Sequence, residues 1–219
     1  QQLIDFLTDL KTHNNREWFA ENKERYLQCK ALFEKMNHVL IAEISQFDED
    51  IKGMEPKDCI FRIYRDTRFS PDKTPYKTHF GTYIAKGGRK SLRGGYYLHI
   101  EPGNTLTSVG IWSPQPVVLK ALREAVYDNI DEFKDILNSR SFTAYYDHLE
   151  EDGKLKTVPR GFPKDFPDAE LLKQKHCCVN AQIPDGVPES DNFLQEVIKR
   201  FKAGYELNRF LNYTVDEVI

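Results

Sequence analysis

Residues 59–93 read CIFRIYRDTRFSPDKTPYKTHFGTYIAKGGRKSLR, and the rest of the architecture is best inferred from this segment. Two runs within it, 59–64 and 80–85, are rich in β-branched and aromatic residues, as strands usually are. Pro71 and Pro75 mark a loop between the runs, and a glycine-rich basic turn follows. We therefore predict two strands that are joined by a proline-containing loop.

More strands are expected downstream. Residues 95–101 and 105–112 form a predicted hairpin, with a turn at Pro102-Gly103-Asn104, and residues 176–183 form one further strand. Sequential strands with short connections favour antiparallel pairing. In the strand 95–101, side chains alternate between faces, which places Tyr97, His99 and Glu101 on one face.

The N-terminal third has helical periodicity. A short helix is expected near residues 3–10, and Asn14 or Asn15 offers an N-cap for the next helix. Apolar residues then recur every three or four positions over 19–47, which predicts one long helix of about nine turns.

Helical patterns return in the C-terminal half. Pro116 suits the first turn of a helix that continues to about Leu137, and Ser190 is the predicted cap of a final helix over 193–211. The predicted fold class is α+β, in which an antiparallel or mixed sheet packs with N-terminal and C-terminal helices. We expect the sheet to contain about four to six strands, from roughly residues 58–112 plus 176–183. We expect a single globular domain over residues 1–219.

Composition excludes several classes of protein. Hydrophobic residues are 40% and charged residues 30% of the 219, which is globular and not disordered composition. No apolar run approaches the roughly 18 residues of a membrane span, and the first residues lack a signal-peptide pattern. The four cysteines contain no CxxC, so we expect reduced thiols in a cytoplasmic protein with no membrane partner. The oligomeric state is not predicted.

Charge is distributed unevenly along the chain. Residues 57–93 contain ten Lys or Arg and three Asp, a balance of +7, whereas the whole chain has a net charge of −3 and the remainder therefore −10. Guanidinium and ammonium groups on a loop fixed by prolines suit a small anionic or phosphorylated ligand. The predicted ligand-binding residues are Arg62, Arg65, Arg68, Lys73, Tyr76 and Lys77. Internal salt bridges to the acidic remainder of the chain are the alternative.

Three further residues are candidates for catalysis. His99 and Glu101 share a predicted strand face, and His79 would join them if the two strands are neighbours. A histidine beside a carboxylate is suited to general acid–base chemistry and can also supply two metal ligands. Such pairs arise easily by chance, so the sequence alone predicts no metal site and identifies no cofactor.

Several long motifs together resemble a bacterial and fungal family, domain of unknown function 2461. They include FLTDLKTHNNREWFAENKERY, PKDCIFRIYRDTRFSPDKTPYKTHFGTYIAKGGRKS, GGYYLHIEPG, VPRGFPKDFP and FLNYTV. The resemblance implies one α+β domain without an assigned activity, substrate or cofactor. The family signature falls on Arg62, Tyr64, Arg65, Asp66, Arg68, Lys73, Tyr76, Lys77, His79 and Phe80.

Three functions fit the sequence. The first is a basic site for a small anionic ligand, with or without catalysis. The second is a protein-interaction module that uses a basic surface. The third is nucleic-acid binding, which the isoelectric point near 6.1 disfavours without excluding it.

Overall fold

A four-stranded antiparallel sheet forms the centre of the structure, a computed structural model that describes residues 1–219. The strand order follows the chain, and the strands are β1 (Phe80–Ile84), β2 (Gly95–Ile100), β3 (Leu106–Ile111) and β4 (Cys177–Gln182). Together with the helices, this sheet confirms the predicted α+β class and the antiparallel pairing.

The two faces of the sheet have different environments. Thr82 of β1 pairs with Leu98 of β2, and Leu98 pairs with Thr107 of β3; all three side chains are fully buried. The alternate residues, which include Tyr97, His99 and Ser108, are only partly buried. One face therefore packs against the core, and the other is available to form a site.

Ten helices surround the sheet, and none combines the length and apolar character needed to cross a membrane. They are α1 (Gln2–Thr12), α2 (Arg16–Glu21), α3 (Lys23–Ile44), α4 (Pro56–Cys59), α5 (Pro116–Asp128), α6 (Ile130–Asn138), α7 (Arg140–Thr143), α8 (Ala169–Leu172), α9 (Phe193–Ala203) and α10 (Tyr205–Asp216).

Each of the three long helices predicted from periodicity is interrupted once. The breaks fall at Asn22, Asn129 and Gly204. Each of these residues separates two consecutive helices and is the N-cap of the second. The Asn22 side chain donates to the carbonyl of Trp18, so it ends α2 by a local hydrogen bond. Ser190 does not cap the final helix, because its hydroxyl donates to the carbonyl of Val187 and α9 begins after Asn192.

The predicted strand at 59–64 is wrong. The segment begins with the last residue of α4 and continues as an irregular chain that makes two isolated bridges, Ile60 with Thr82 and Tyr64 with Tyr76. Pro75 lies next to the second bridge and has no N–H to donate, so a regular ladder cannot extend there. Residues 60–79 are therefore a folded loop along the edge of β1, and we call this segment the basic loop.

Aromatic packing fixes the point at which the basic loop enters β1. Phe80 is buried against Phe6, Tyr26 and Phe33 of the N-terminal helices, with ring centroids 5.3–6.4 Å apart. Such pairs contribute roughly 0.5–1.5 kcal/mol each beyond the area they bury. This cluster belongs to a core of 39 buried residues that extends from Leu3 to Val215, and it sets the position of the neighbouring His79.

Candidate functional site

A cavity of about 680 Å³ lies on the partly exposed face of the sheet. Its floor comes from alternate residues of the four strands, and its wall includes the end of the basic loop. Its lining includes Phe61, Lys77, His79, Arg89, Tyr97 and Asn180. Polar and charged groups converge on this cavity, which is the usual setting of a ligand site.

A continuous hydrogen-bond chain runs along β2 beside the cavity. His99 Nε2 lies 3.1 Å from Glu101 Oε2, and His99 Nδ1 lies 3.0 Å from Tyr97 Oη. A carboxylate can only accept, so His99 donates from Nε2 to Glu101, and in the tautomer whose single proton is on Nε2 the Tyr97 hydroxyl donates to Nδ1. The alternation predicted for this strand therefore places all three side chains in contact.

Glu101 is held as a carboxylate. Burial alone would raise its pKa, but hydrogen bonds from Thr78, Asn104 and His99 outweigh burial and lower the pKa to about 2. The Thr78 hydroxyl donates to Oε1 at 2.6 Å, and the Asn104 amide donates to Oε2 at 3.1 Å. Burial, together with the charge of Glu101, raises the pKa of Tyr97 to about 12, so Tyr97 keeps its proton at neutral pH.

His79 joins this group from the other strand. Pairing of Phe80 with Ile100 brings the residue before β1 close to the residue after β2, so His79 lies near Glu101. Its ring stacks on His99 with centroids 4.1 Å apart. Burial, followed by the charges of His99 and Lys77, lowers the pKa of His79 to about 4, so its ring is neutral at pH 7.

Lys77 is the basic residue with the clearest opening for a ligand. It is partly buried, it makes no ion pair, and its ammonium lies 5.3 Å from the centre of the Phe61 ring. Burial and then the neighbouring Arg62 lower its pKa. Arg89 lines the same cavity and uses one guanidinium nitrogen to donate to the Lys57 carbonyl at 2.8 Å, which leaves its other donors available.

Most of the other predicted ligand-binding residues lie elsewhere in the basic loop. Arg65 contacts Asp72 and Thr74, Arg68 pairs with Asp66 at 2.6 Å, and Lys73 donates to the Thr67 carbonyl at 2.9 Å. Tyr76 is buried and stacks on Phe19 with centroids 3.9 Å apart, whereas Arg62 is exposed and unpaired. The structure therefore brings Lys77 to the three catalytic candidates and does not bring Arg65, Arg68 or Lys73.

Sequence reasoning missed several residues of the cavity. Ser108 of β3, Asn180 of β4 and Glu150 line it, and Asn180 donates to Glu150 at 2.5 Å. Trp112 lies at the rim and stacks on His176 with centroids 3.8 Å apart. Alternation along each strand selects Ser108 and Asn180 once the register is known, but the register between β3 and β4 depends on contacts across roughly 70 residues.

Comparison with known proteins gives one match. No curated protein and no solved structure matches the chain. The family model described as conserved hypothetical protein (DUF2461) matches residues 2–210. Because this match covers nearly all of the 219 residues, the chain belongs to the DUF2461 family.

Proposed function

We propose that the cavity binds a small molecule with a carboxylate or phosphate group, and that His79, His99 and Glu101 act on the bound molecule. The proposal depends above all on Lys77. This ammonium is partly withdrawn from water without a carboxylate partner, although 34 acidic residues are present in the chain. An unpaired, desolvated charge costs free energy unless a ligand compensates it.

The surroundings of Lys77 favour an anion. Arg62 lies near enough to lower the pKa of Lys77, and Arg89 has free donors on the same cavity. Nearby walls are apolar at Phe61, which lowers the local dielectric constant and strengthens any charge–charge contact. A bidentate contact from Arg89 and a point contact from Lys77 would together select carboxylate or phosphate oxygens.

Lys77→Met tests this proposal, with Lys73→Met as the matched control. Both lysines belong to the basic loop, but Lys73 is exposed and bonded to a loop carbonyl. Thermal-shift and calorimetric titrations with inorganic phosphate and a panel of small phosphate and carboxylate compounds measure binding, since a ligand of the native state raises its stability. A hydrogen bond to a charged group contributes about 1.5–3 kcal/mol, so Lys77→Met should weaken binding about 10–150-fold.

The same variant should not destabilise the free protein. Methionine fills similar space and removes an uncompensated charge, so the melting temperature of Lys77→Met should equal or exceed that of the wild type. Loss of binding with retained stability is the signature of a functional lysine. If no compound of either class binds the wild type, or if Lys77→Met binds as tightly as Lys73→Met, the proposal is wrong.

A further inference from the structure

We propose that His79, His99 and Glu101 bind one divalent transition-metal ion at the end of the cavity. This inference deepens the proposed function and rests on it for the identity of the ligand that the metal would meet. The sequence alone predicts no metal site, because it shows two histidines and a glutamate without their spatial relation. The structure places one ligand atom from each within 4.8 Å of the other two.

The backbone explains why the three groups meet. His99 pairs with Gly81 in the β1–β2 ladder, and His79 and Glu101 lie opposite each other one position beyond the Phe80–Ile100 pair, at the same end of that ladder. All three side chains are partly buried on the face that forms the cavity. Metal–nitrogen and metal–oxygen bonds are about 2.0–2.2 Å, so any two ligand atoms can be at most about 4.4 Å apart. Small side-chain rotations would therefore close the cluster around an ion.

The ligand set indicates the class of metal. Two imidazoles and one carboxylate suit Zn²⁺, Fe²⁺, Co²⁺ or Mn²⁺. They do not suit Mg²⁺ or Ca²⁺, which prefer sites made entirely of oxygen ligands. Three protein ligands leave at least one coordination position open, as catalytic metal sites do, whereas structural zinc sites are closed by four. Because His79 lines the cavity, the open position would face the space that also contains Lys77.

An outer set of hydrogen bonds already orients the ligands. Tyr97 contacts His99 Nδ1, Thr78 donates to Glu101 Oε1, and Asn104 donates to Glu101 Oε2. Partners of this kind are typical of metal ligands, whose orientation and basicity they set. A metal ion on His99 Nε2 would move the imidazole proton to Nδ1, which would then donate to Tyr97 Oη. The Tyr97 hydroxyl proton would become free to point into the cavity.

The arrangement also narrows the ligand class. A metal ion bound by two neutral histidines and one carboxylate has a net charge of +1, and Lys77 adds a second positive charge to the same cavity. A molecule that coordinates the metal through one anionic oxygen and contacts Lys77 through another would satisfy both. Small phosphate esters and dicarboxylates have this chemistry.

Cobalt provides a direct test with the full-length chain. The protein is first freed of metal with a chelator and then titrated with Co²⁺. Visible absorption bands and calorimetry give the stoichiometry and the affinity, and Zn²⁺ is then added as a competitor. We expect one Co²⁺ per chain. His79→Ala should weaken binding at least 100-fold, while His38→Ala, an exposed histidine on α3, should leave it unchanged. Tyr97→Phe should weaken it by about 10–100-fold, the effect usual for an outer partner.

Two further measurements make the outcome unambiguous. Glu101→Gln replaces a second ligand with a residue of the same shape, and the circular dichroism of each variant shows whether it folds. Less than one equivalent of Co²⁺ on the wild type, or equal affinity in folded His79→Ala or Glu101→Gln, would overturn the inference. Lys77→Met should retain Co²⁺ and lose phosphate. If phosphate binds but Co²⁺ does not, only the metal site is refuted. If Co²⁺ binds but no anion does, only the proposed function is refuted.

Discussion

Asn14 provides the sharpest test of how the basic loop is held. Its side chain pairs with the backbone of Tyr76 on both sides: Nδ2 donates to the Tyr76 carbonyl at 2.9 Å, and Oδ1 accepts from the Tyr76 N–H at 3.1 Å. Neither group of Tyr76 has another partner, because the bridge between Tyr64 and Tyr76 uses the N–H groups of the adjacent residues. The side-chain amide of Asn14 therefore makes with Tyr76 the two hydrogen bonds that the backbone of a neighbouring strand would otherwise make.

The free energy at stake follows from these two bonds. Each contributes about 1 kcal/mol net, and a partly buried donor or acceptor left without a partner adds to the cost. Asn14→Ala should therefore lower the free energy of unfolding by about 2–3 kcal/mol. The neighbouring Asn15 only caps α2, where it accepts from the Trp18 N–H at 2.9 Å, and Asn15→Ala should cost about 1 kcal/mol.

Asn14→Asp separates the two bonds by pH. The carboxylate still accepts from the Tyr76 N–H but faces the Tyr76 carbonyl, so its pKa in the folded state should exceed the ordinary value of about 3.9. A raised folded pKa means that stability is greatest at low pH and is lost as pH rises through that pKa. Urea denaturation at pH 4.5 and 7.5 should show a smaller deficit at pH 4.5 for this variant alone. A cost of Asn14→Ala no larger than that of Asn15→Ala would refute the reasoning.

Two further changes test the sheet. A Cβ on Gly81 would lie 3.1 Å from Tyr97 Oη, so Gly81→Ala should displace the hydroxyl by a few tenths of an ångström from His99. The free energy of unfolding of Gly81→Ala should change by less than about 1 kcal/mol, because a glycine within a strand is itself unfavourable. Its affinity for Co²⁺ should fall at least several-fold. Unchanged affinity in a cobalt titration would contradict this prediction. Asp48 is nearly buried, accepts from the Tyr96 hydroxyl at 2.8 Å, and has its pKa raised by burial. Because the folded-state pKa of Asp48 is raised, the wild type should lose stability relative to Asp48→Asn as the pH rises from 4 to 7. Denaturant titrations measure this difference, and a relative gain in wild-type stability would contradict the raised pKa.

Local alternation was the most reliable guide to the site. The prediction that Tyr97, His99 and Glu101 share a face is confirmed, because a strand has a period of two whatever it packs against. Neighbouring antiparallel strands also brought His79 to the same place. The cluster was thus predictable from two short segments that are adjacent in the chain.

The ends of the long helices were predicted less well, because the apolar pattern follows burial and not the continuity of the backbone. The apolar stripe continues through Asn22 and Gly204, since the helices on both sides of each break contribute to the same core. Periodicity reports which side chains are buried and does not report where the backbone is interrupted. Likewise, Asn14 and Asn15 are equivalent as caps in the sequence, and only the position of Tyr76 distinguishes their roles.

The positive charge of residues 57–93 indicates a ligand site only once the ion pairs of its lysines and arginines are known. Arg65 and Arg68 find aspartates a few residues away, and the buried Arg93 lies between Asp50 and Asp216. These contacts order the loop and the sheet edge, and no formal charge count can separate them from a free cation. Lys77 differs because it is partly desolvated and unpaired.

The two proposals also constrain each other through charge. Without a metal, the ionised Glu101 lies close to His79 and His99 and opposes an anion in the cavity. A divalent ion would reverse the sign of that cluster, from −1 to +1, and would add to the field of Lys77. Anion binding should therefore be weak in the metal-free protein and stronger once metal is bound, and linkage requires the anion to strengthen metal binding by the same factor. A cavity with this property would favour molecules that satisfy the metal and Lys77 at once over those that satisfy either alone.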